Sequence, residues 1–214
     1  MRLGLFGGSF DPVHYGHLLL AECCREECRL DQVHFLPAAH PPHKQERDLT
    51  TAEHRIEMLQ LAIAGHGAFS VSRFEIDRGG VSYTVDTLRH YHSEHPASEI
   101  FLLLGADMLL DLPHWHEAPQ VCQLAIPVVA GRPGFDVPDF SCLDQIASPG
   151  QIEVFRRHQV DMPQIGISSS ELRRRVAGGL SIRYWTPRAV EKYIEGHGLY
   201  GEAGSRQQAV GSRQ

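Results

Sequence analysis

Neither standard phosphate fingerprint occurs in this chain. There is no GxxxxGKS or GxxxxGKT loop, and no GxGxxG follows a strand-like run. A P-loop ATPase and an ordinary dinucleotide dehydrogenase are therefore both disfavoured. Positive charge is not in excess: the formal net charge of the 214 residues is -6. A general grip on nucleic acid needs a basic face, so no nucleic-acid partner is expected. Any anion bound here must meet a local cluster of positive groups, because no global field draws it in. No apolar run approaches membrane-spanning length, so no membrane contact is expected. Met1-Arg2-Leu3 leads straight into an apolar run, which argues against a signal peptide. The five cysteines (Cys23, Cys24, Cys28, Cys122, Cys142) are odd in number and show no paired zinc spacing. Cys24 and Cys28 stand four apart on a predicted helix, yet reduced thiols in a cytoplasmic protein are the simpler expectation.

What is present is ordinary globular material, 42% hydrophobic and 21% charged. One domain over residues 1–200 is expected, with a polar, disordered tail over 201–214. Strands are predicted at 3–6, 32–36, 69–76, 99–104, 125–130, 152–155 and 164–167. Helices are predicted near 16–29, 85–95, 168–176 and 187–195, with a helix or turn near 115–123. Another helix is expected after Thr50, which with Glu53 reads as a capping box, and before Ile63. Residues 135–149 show little pattern and read as loop. His90, His92 and His95, among fourteen histidines, read as solvated positions. Strands alternating with helices predict an α/β, Rossmann-like, doubly wound parallel sheet with helices on both faces. Ligands of such folds bind beyond the carboxyl ends of the strands, and the glycine-rich segments here fall at those ends.

The most informative segment is Gly7-Gly8-Ser9-Phe10-Asp11-Pro12-Val13-His14-Tyr15-Gly16-His17. It is a strand end, a glycine-rich turn and a helix start. Glycines let a phosphate approach the backbone, and a helix start offers unpaired N–H groups and a positive dipole end. Two histidines alone would be surface polar groups, but here both stand where an anion binds. Asp11 and Pro12 read as structural, capping and fixing the turn. A second segment, Ile167-Ser168-Ser169-Ser170-Glu171-Leu172-Arg173, is another helix start, with Ser168 as N-cap and Glu171 completing a capping box. An arginine one turn into a serine-rich helix start makes it an anion site as well.

Together these motifs resemble the signatures of the HxGH nucleotidyltransferase superfamily, and the segments between them resemble bacterial nicotinate-nucleotide adenylyltransferases. The second motif resembles ISSTxIR, with Ser170 and Leu172 as mild departures. Ser82-Tyr83-Thr84-x-x-Thr87-Leu88 resembles SYTxxTL, Gly105-x-Asp107 resembles GxD, and Gly198-Leu199-Tyr200 resembles the usual C-terminal ending. The resemblance implies that His14, His17, Lys44 and Arg173 are catalytic through the phosphates. It implies ATP contacts from Gly7, Gly8, Ser9, Phe10, Gly105, Asp107, Arg132, Ile167, Ser168 and Ser169 as well as from His14, His17 and Arg173. Arg132 opens an Arg-Pro-Gly element, and Lys44 lies in Pro41-Pro42-His43-Lys44. The implied partner is nicotinate mononucleotide, held by Ser9, Lys44, Tyr83, Thr84, Val85, Trp115 and His116, with Trp115 stacked on the pyridine ring. Mg²⁺ is implied as a companion of ATP, with no metal ligands from the protein. The implied product is nicotinate adenine dinucleotide. Preference for nicotinamide mononucleotide, or a non-catalytic nucleotide-binding module, are the alternatives. A homo-oligomer is compatible with the resemblance.

Overall fold

The computed structural model describes residues 1–40, 49–131 and 139–201. Its frame is a six-stranded sheet, all parallel, in the order β3-β2-β1-β4-β5-β6. The strands are β1 (Arg2–Gly8), β2 (Gln32–Pro37), β3 (Phe69–Val71), β4 (Glu99–Gly105), β5 (Ile126–Gly131) and β6 (Gln159–Asp161). The helices among the described residues are α1 (Tyr15–Glu27), α2 (Ala52–Ile63), α3 (Phe74–Arg78), α4 (Thr84–Glu94), α5 (Ala106–Asp111), α6 (Ala118–Leu124), α7 (Pro149–Arg157), α8 (Ser169–Ala177) and α9 (Arg188–His197). This is the predicted Rossmann-like doubly wound fold, with the strand order that reverses between β1 and β4.

Period-two alternation in the strands builds a core on each face of the sheet. Leu3 and Leu5 of β1 and Ile100, Leu102 and Leu104 of β4 join Leu88 of α4, Val121 of α6 and Phe155 of α7 on one face. Phe6 of β1 and Phe101 and Leu103 of β4 join Leu20 of α1, Leu59 of α2, Leu172 of α8 and Ile194 of α9 on the other. Both faces are covered, so the central strands read as continuous apolar runs. Gly4 faces the second cluster, and a Cβ there would stand 2.8 Å from Leu30 Cδ1. All five cysteines are free thiols; three are buried and two half-buried. Burial pushes the Cys28 thiol up to about 11. Among the described residues no helix is long and apolar enough to cross a membrane.

Five local expectations are corrected. The strand expected over 69–76 stops at Val71. The Ser72 N–H closes onto the Phe35 carbonyl (2.9 Å), and the Ser72 hydroxyl accepts from the Phe74 N–H (3.3 Å), which starts α3. A few alternating residues cannot distinguish a short strand from one helical turn. The strand expected at 152–155 is the middle of α7. Ser148 and Gln151 form a reciprocal capping box with Pro149 in the first turn, a start signal present in the sequence. The segment 164–167 is extended without a ladder; the sheet edge is β6, paired with β5. Thr50 and Glu53 do not form a capping box. Thr51 is the N-cap without a side-chain bond, while Glu53 takes both amino groups of Arg73 (2.9 and 2.8 Å). His90, His92 and His95 are half-buried rather than solvated: the His90 ring stacks on Phe74 and His92 bonds the Leu124 carbonyl at 2.6 Å.

Candidate active site

A cleft of about 1480 Å³ opens at the carboxyl ends of the strands, across the β1–β4 reversal. One wall grows from the loop after β1. Phe10 sits at φ 48, a conformation unusual for a non-glycine residue. Its ring is anchored in the core, edge-on to Phe6 (5.3 Å) and His17 (5.0 Å). Gly8 makes this possible, because a Cβ there would stand 3.0 Å from the Phe10 ring. Arg55, only 2% exposed, locks the loop from below by donating to the carbonyls of Ser9 (2.9 Å) and Thr50 (3.0 Å). The Asp11–Pro12 peptide is cis.

His14 is the N-cap of α1 and is buried. Its Nδ1 has no hydrogen-bond partner among the described residues. Burial lowers its pKa to about 4, so the ring is neutral at pH 7. His17 stacks on it, centroids 3.7 Å apart and planes 18° apart. The His14 N–H donates to His17 Nδ1 at 3.3 Å. A ring nitrogen that accepts carries no proton, so the N–H that the His17 ring can donate sits at Nε2. Gly16 leaves room for this pair: a Cβ there would stand 3.1 Å from the His14 ring.

The second signature forms the adjoining wall. Ser168 caps α8, accepting the Glu171 N–H at 3.2 Å. The predicted capping box is half formed, because the Glu171 carboxylate turns to Arg174 (2.6 Å). Ser169 donates its hydroxyl to the Pro12 carbonyl at 2.9 Å. Arg173 donates Nη1 to the Asp11 carbonyl at 2.7 Å and reaches the Ser170 hydroxyl with Nη2 at 3.4 Å. Two motifs far apart in the chain are thus bonded directly, and the N-termini of α1 and α8 share one cleft.

Most residues expected in the site line this cleft: Gly7, Gly8, Ser9, His14, His17, Ile167, Ser168 and Ser169 on the walls just described, and Tyr83, Thr84, Gly105, Asp107, Trp115 and His116 opposite. Three are placed elsewhere. Phe10 lies beneath the loop, 1% exposed, and Val85 is fully buried in the core. Arg173 points at the Asp11 carbonyl rather than lining the cleft. Lys44 and Arg132 lie outside the described residues, as does the tail after Gly201. Across the cleft, Tyr83 is the N-cap of α4 and its ring stands 4.4 Å from that of His116. Trp115 is half-buried, packed on the core edge with one side toward the cleft. Gly105 lets Asp107 fold back, its Oδ1 standing 2.8 Å from where a Cβ would be.

Sequence reasoning missed Glu75. It lines the cleft while being 7% exposed, and it accepts the Thr87 hydroxyl at 2.8 Å. Burial raises its pKa against the opposing pull of Thr87 and Ser82. Its signal was hidden because the segment reads as a strand, which gives no reason for a glutamate to turn inward. Asp161, Met162 and Ile165 also line the cleft and were not anticipated. Among the described residues, no group of three or more His, Cys, Asp or Glu side chains is placed to hold a metal ion.

A family model described as cytidylyltransferase-like matches residues 5–175. A probable nicotinate-nucleotide adenylyltransferase of Thermus thermophilus is 48% identical over 200 residues, covering 94% of this chain and 100% of its own. That of Thermomicrobium roseum is 45% identical over 199 residues, covering 93% of this chain and 91% of its own. Among solved structures, Plasmodium falciparum nicotinic acid mononucleotide adenylyltransferase complexed with NaAD superposes with a TM-score of 0.74. Its sequence identity is 20%, and the match covers 93% of this chain and 97% of that one.

Proposed function

The chain belongs to the cytidylyltransferase-like family and to its nicotinate-nucleotide adenylyltransferases, and on that premise we propose that it transfers the adenylyl group of ATP to nicotinate mononucleotide. The products are nicotinate adenine dinucleotide and pyrophosphate. The observation that carries this reading is the convergence of two anion-receptive helix starts on one cleft. One presents the stacked pair His14 and His17; the other presents Ser168 and Ser169 and is bonded to the first through Pro12. Opposite them stand the aromatic groups Tyr83 and Trp115, suited to a flat, electron-poor ring.

The chemistry asks for positioning and charge stabilisation more than for proton transfer. The 5′-phosphate of the mononucleotide has a second pKa of about 6, so it is already a dianionic nucleophile at pH 7. One of its oxygens bonds to the α-phosphorus as the bond to the β-phosphate oxygen breaks, and pyrophosphate leaves. Negative charge accumulates on the α-phosphoryl oxygens in between. His17 Nε2–H is the donor we assign to that charge, with the α1 and α8 N–H groups beside it. His14, neutral and dry, contributes a hydrogen bond and braces the His17 ring. Arg173 acts from behind, by holding the loop, as well as through its charge. Lys44 and Arg132 stay in the proposal on their sequence motifs alone. Tyr83, Thr84 and Trp115 hold the pyridine nucleotide, and Asp107 is assigned to a ribose hydroxyl. Val85, buried, can offer its backbone N–H but not its side chain.

Imidazoles, hydroxyls and helix N–H groups suit phosphate oxygens better than they suit a hard cation. We therefore place Mg²⁺ on the triphosphate, completed by water, where it neutralises charge. The five free thiols fit a reducing compartment, which supports a cytoplasmic location. The test is pyrophosphate release on mixing the protein with ATP and nicotinate mononucleotide, in competition with nicotinamide mononucleotide. Turnover favouring the acid is expected. No pyrophosphate would refute the transfer, and a higher kcat/KM for the amide would overturn the choice of substrate.

A further inference from the structure

The closing motif Gly198-Leu199-Tyr200 is not explained by the cleft, which it does not line. Gly198 ends α9 in a left-handed cap, and Tyr200 itself has φ 64. This turn carries the phenol inward, where its hydroxyl donates to Asp11 Oδ1 at 2.5 Å. Burial and the neighbouring Asp11 carboxylate both push the phenol's pKa up, so it keeps its proton and remains a donor. Asp11 has no exposed surface. Its other oxygen accepts the Thr50 N–H at 3.1 Å, and its carbonyl accepts Arg173 Nη1 at 2.7 Å.

The consequence is geometric. Asp11 joins the loop that carries His14, the segment leading into α2, helix α8 and the C-terminal turn. A buried carboxylate that loses a donor is left under-satisfied, and it shifts to find another. The shift would pass along three residues to His14 and across the Arg173 bond to α8.

We infer that Tyr200 is a positioning residue for the adenylyl transfer: its hydroxyl holds the Asp11 carboxylate, and through it sets the histidine pair against the start of α8. This rests on the adenylyl-transfer reading. Misplacing a reacting group by a fraction of an ångström lowers the rate of the chemical step more than it weakens binding.

The test compares pyrophosphate release by wild type, Tyr200→Phe and Tyr193→Phe, at a temperature well below the melting point of each. Tyr193 is the control: it also loses a hydroxyl bond, to His54 Nδ1 at 2.7 Å, but that bond ties α9 to α2 and does not involve Asp11. Tyr200→Phe should lower kcat about tenfold while both KM values stay within about twofold. Tyr193→Phe should keep the wild-type kcat. The double variant Asp11→Ala with Tyr200→Phe should be no slower than Asp11→Ala alone, because alanine already removes the oxygen to which Tyr200 donates. A wild-type kcat in Tyr200→Phe, an equal loss in Tyr193→Phe, or additive losses in the double variant would overturn the inference. If Asp11→Ala does not fold, the two tyrosine variants decide alone. A wild-type protein that releases no pyrophosphate refutes the functional reading; an active wild type with an equally active Tyr200→Phe refutes this inference only.

Discussion

The two walls of the cleft are built differently. The wall of the β1 loop and α8 is cross-bonded: Ser169 to Pro12, Arg173 and Tyr200 to Asp11, Arg55 to Ser9. Asp11, His14 and Arg55 are all buried there. The wall of Tyr83, Trp115 and His116 is half-buried to exposed and rests on ring contacts, such as Tyr83 with His116 at 4.4 Å. Stabilising transition-state charge demands donors fixed in advance, since reorganising them during the reaction costs rate. Gripping a planar ring demands only an apolar face at the right height. On the proposed roles, the first wall needs a buried polar scaffold and the second does not.

If that contrast is right, variants on the first wall change kcat and those on the second change KM. The largest effect is expected from His17→Ala: a loss of roughly 10²–10³ in kcat with the fold retained. Near-wild-type turnover with an unchanged circular dichroism spectrum would break the comparison.

Acid titration probes the same wall through stability. The folded-state pKa of His14 is lowered from 6.5 to about 4, so the unfolded chain binds the extra proton first. Stability contributed by keeping this ring neutral is present above pH 6.5 and is lost as pH falls from 6.5 to about 4. The loss is on the order of 3 kcal/mol. Urea melts across that range should show a pH slope that His14→Gln flattens; an unchanged slope would mean that His14 is not buried as a neutral ring.

On the second wall, Trp115→Ala should raise the KM for nicotinate mononucleotide by about tenfold and leave the KM for ATP nearly unchanged. Equal effects on both would make Trp115 a packing residue. The smallest effect is expected from Glu75→Gln, which keeps an acceptor for Thr87 and removes a charge that burial already disfavours. Its stability should stay within about 1 kcal/mol of wild type, with a KM change for the mononucleotide below about threefold. A collapse of stability measured by thermal melting would show that the anionic carboxylate is required.

Much of this was legible in the sequence. The glycine-rich turn before His14-x-x-His17, the serine-rich start of α8 and the alternation of strands with helices are local patterns, and each survives as a local structure. The misses also have a local cause. Residues 72–76 and 152–155 are too short for periodicity to separate strand from helix, although the Ser148-Pro149 start signal was there to be used. Glu75 escaped notice because inward-facing carboxylates are recognised by their partners, and Thr87 lies on another helix.

The sequence by itself determined the covalent order of the site: which glycines end β1, which residues start α1 and α8, and which strands are apolar on both faces. These follow from backbone sterics, unpaired helix-start N–H groups and burial, all encoded within a few residues. Only the tertiary structure decided how those pieces act together. It buried His14 and so made it neutral, oriented His17 through His14's own N–H, turned Arg173 onto the Asp11 carbonyl, and brought Tyr200 from the far end of the described chain to the Asp11 carboxylate. Protonation and orientation depend on solvent exclusion and on donors supplied across the fold, and neither quantity is a property of a sequence window.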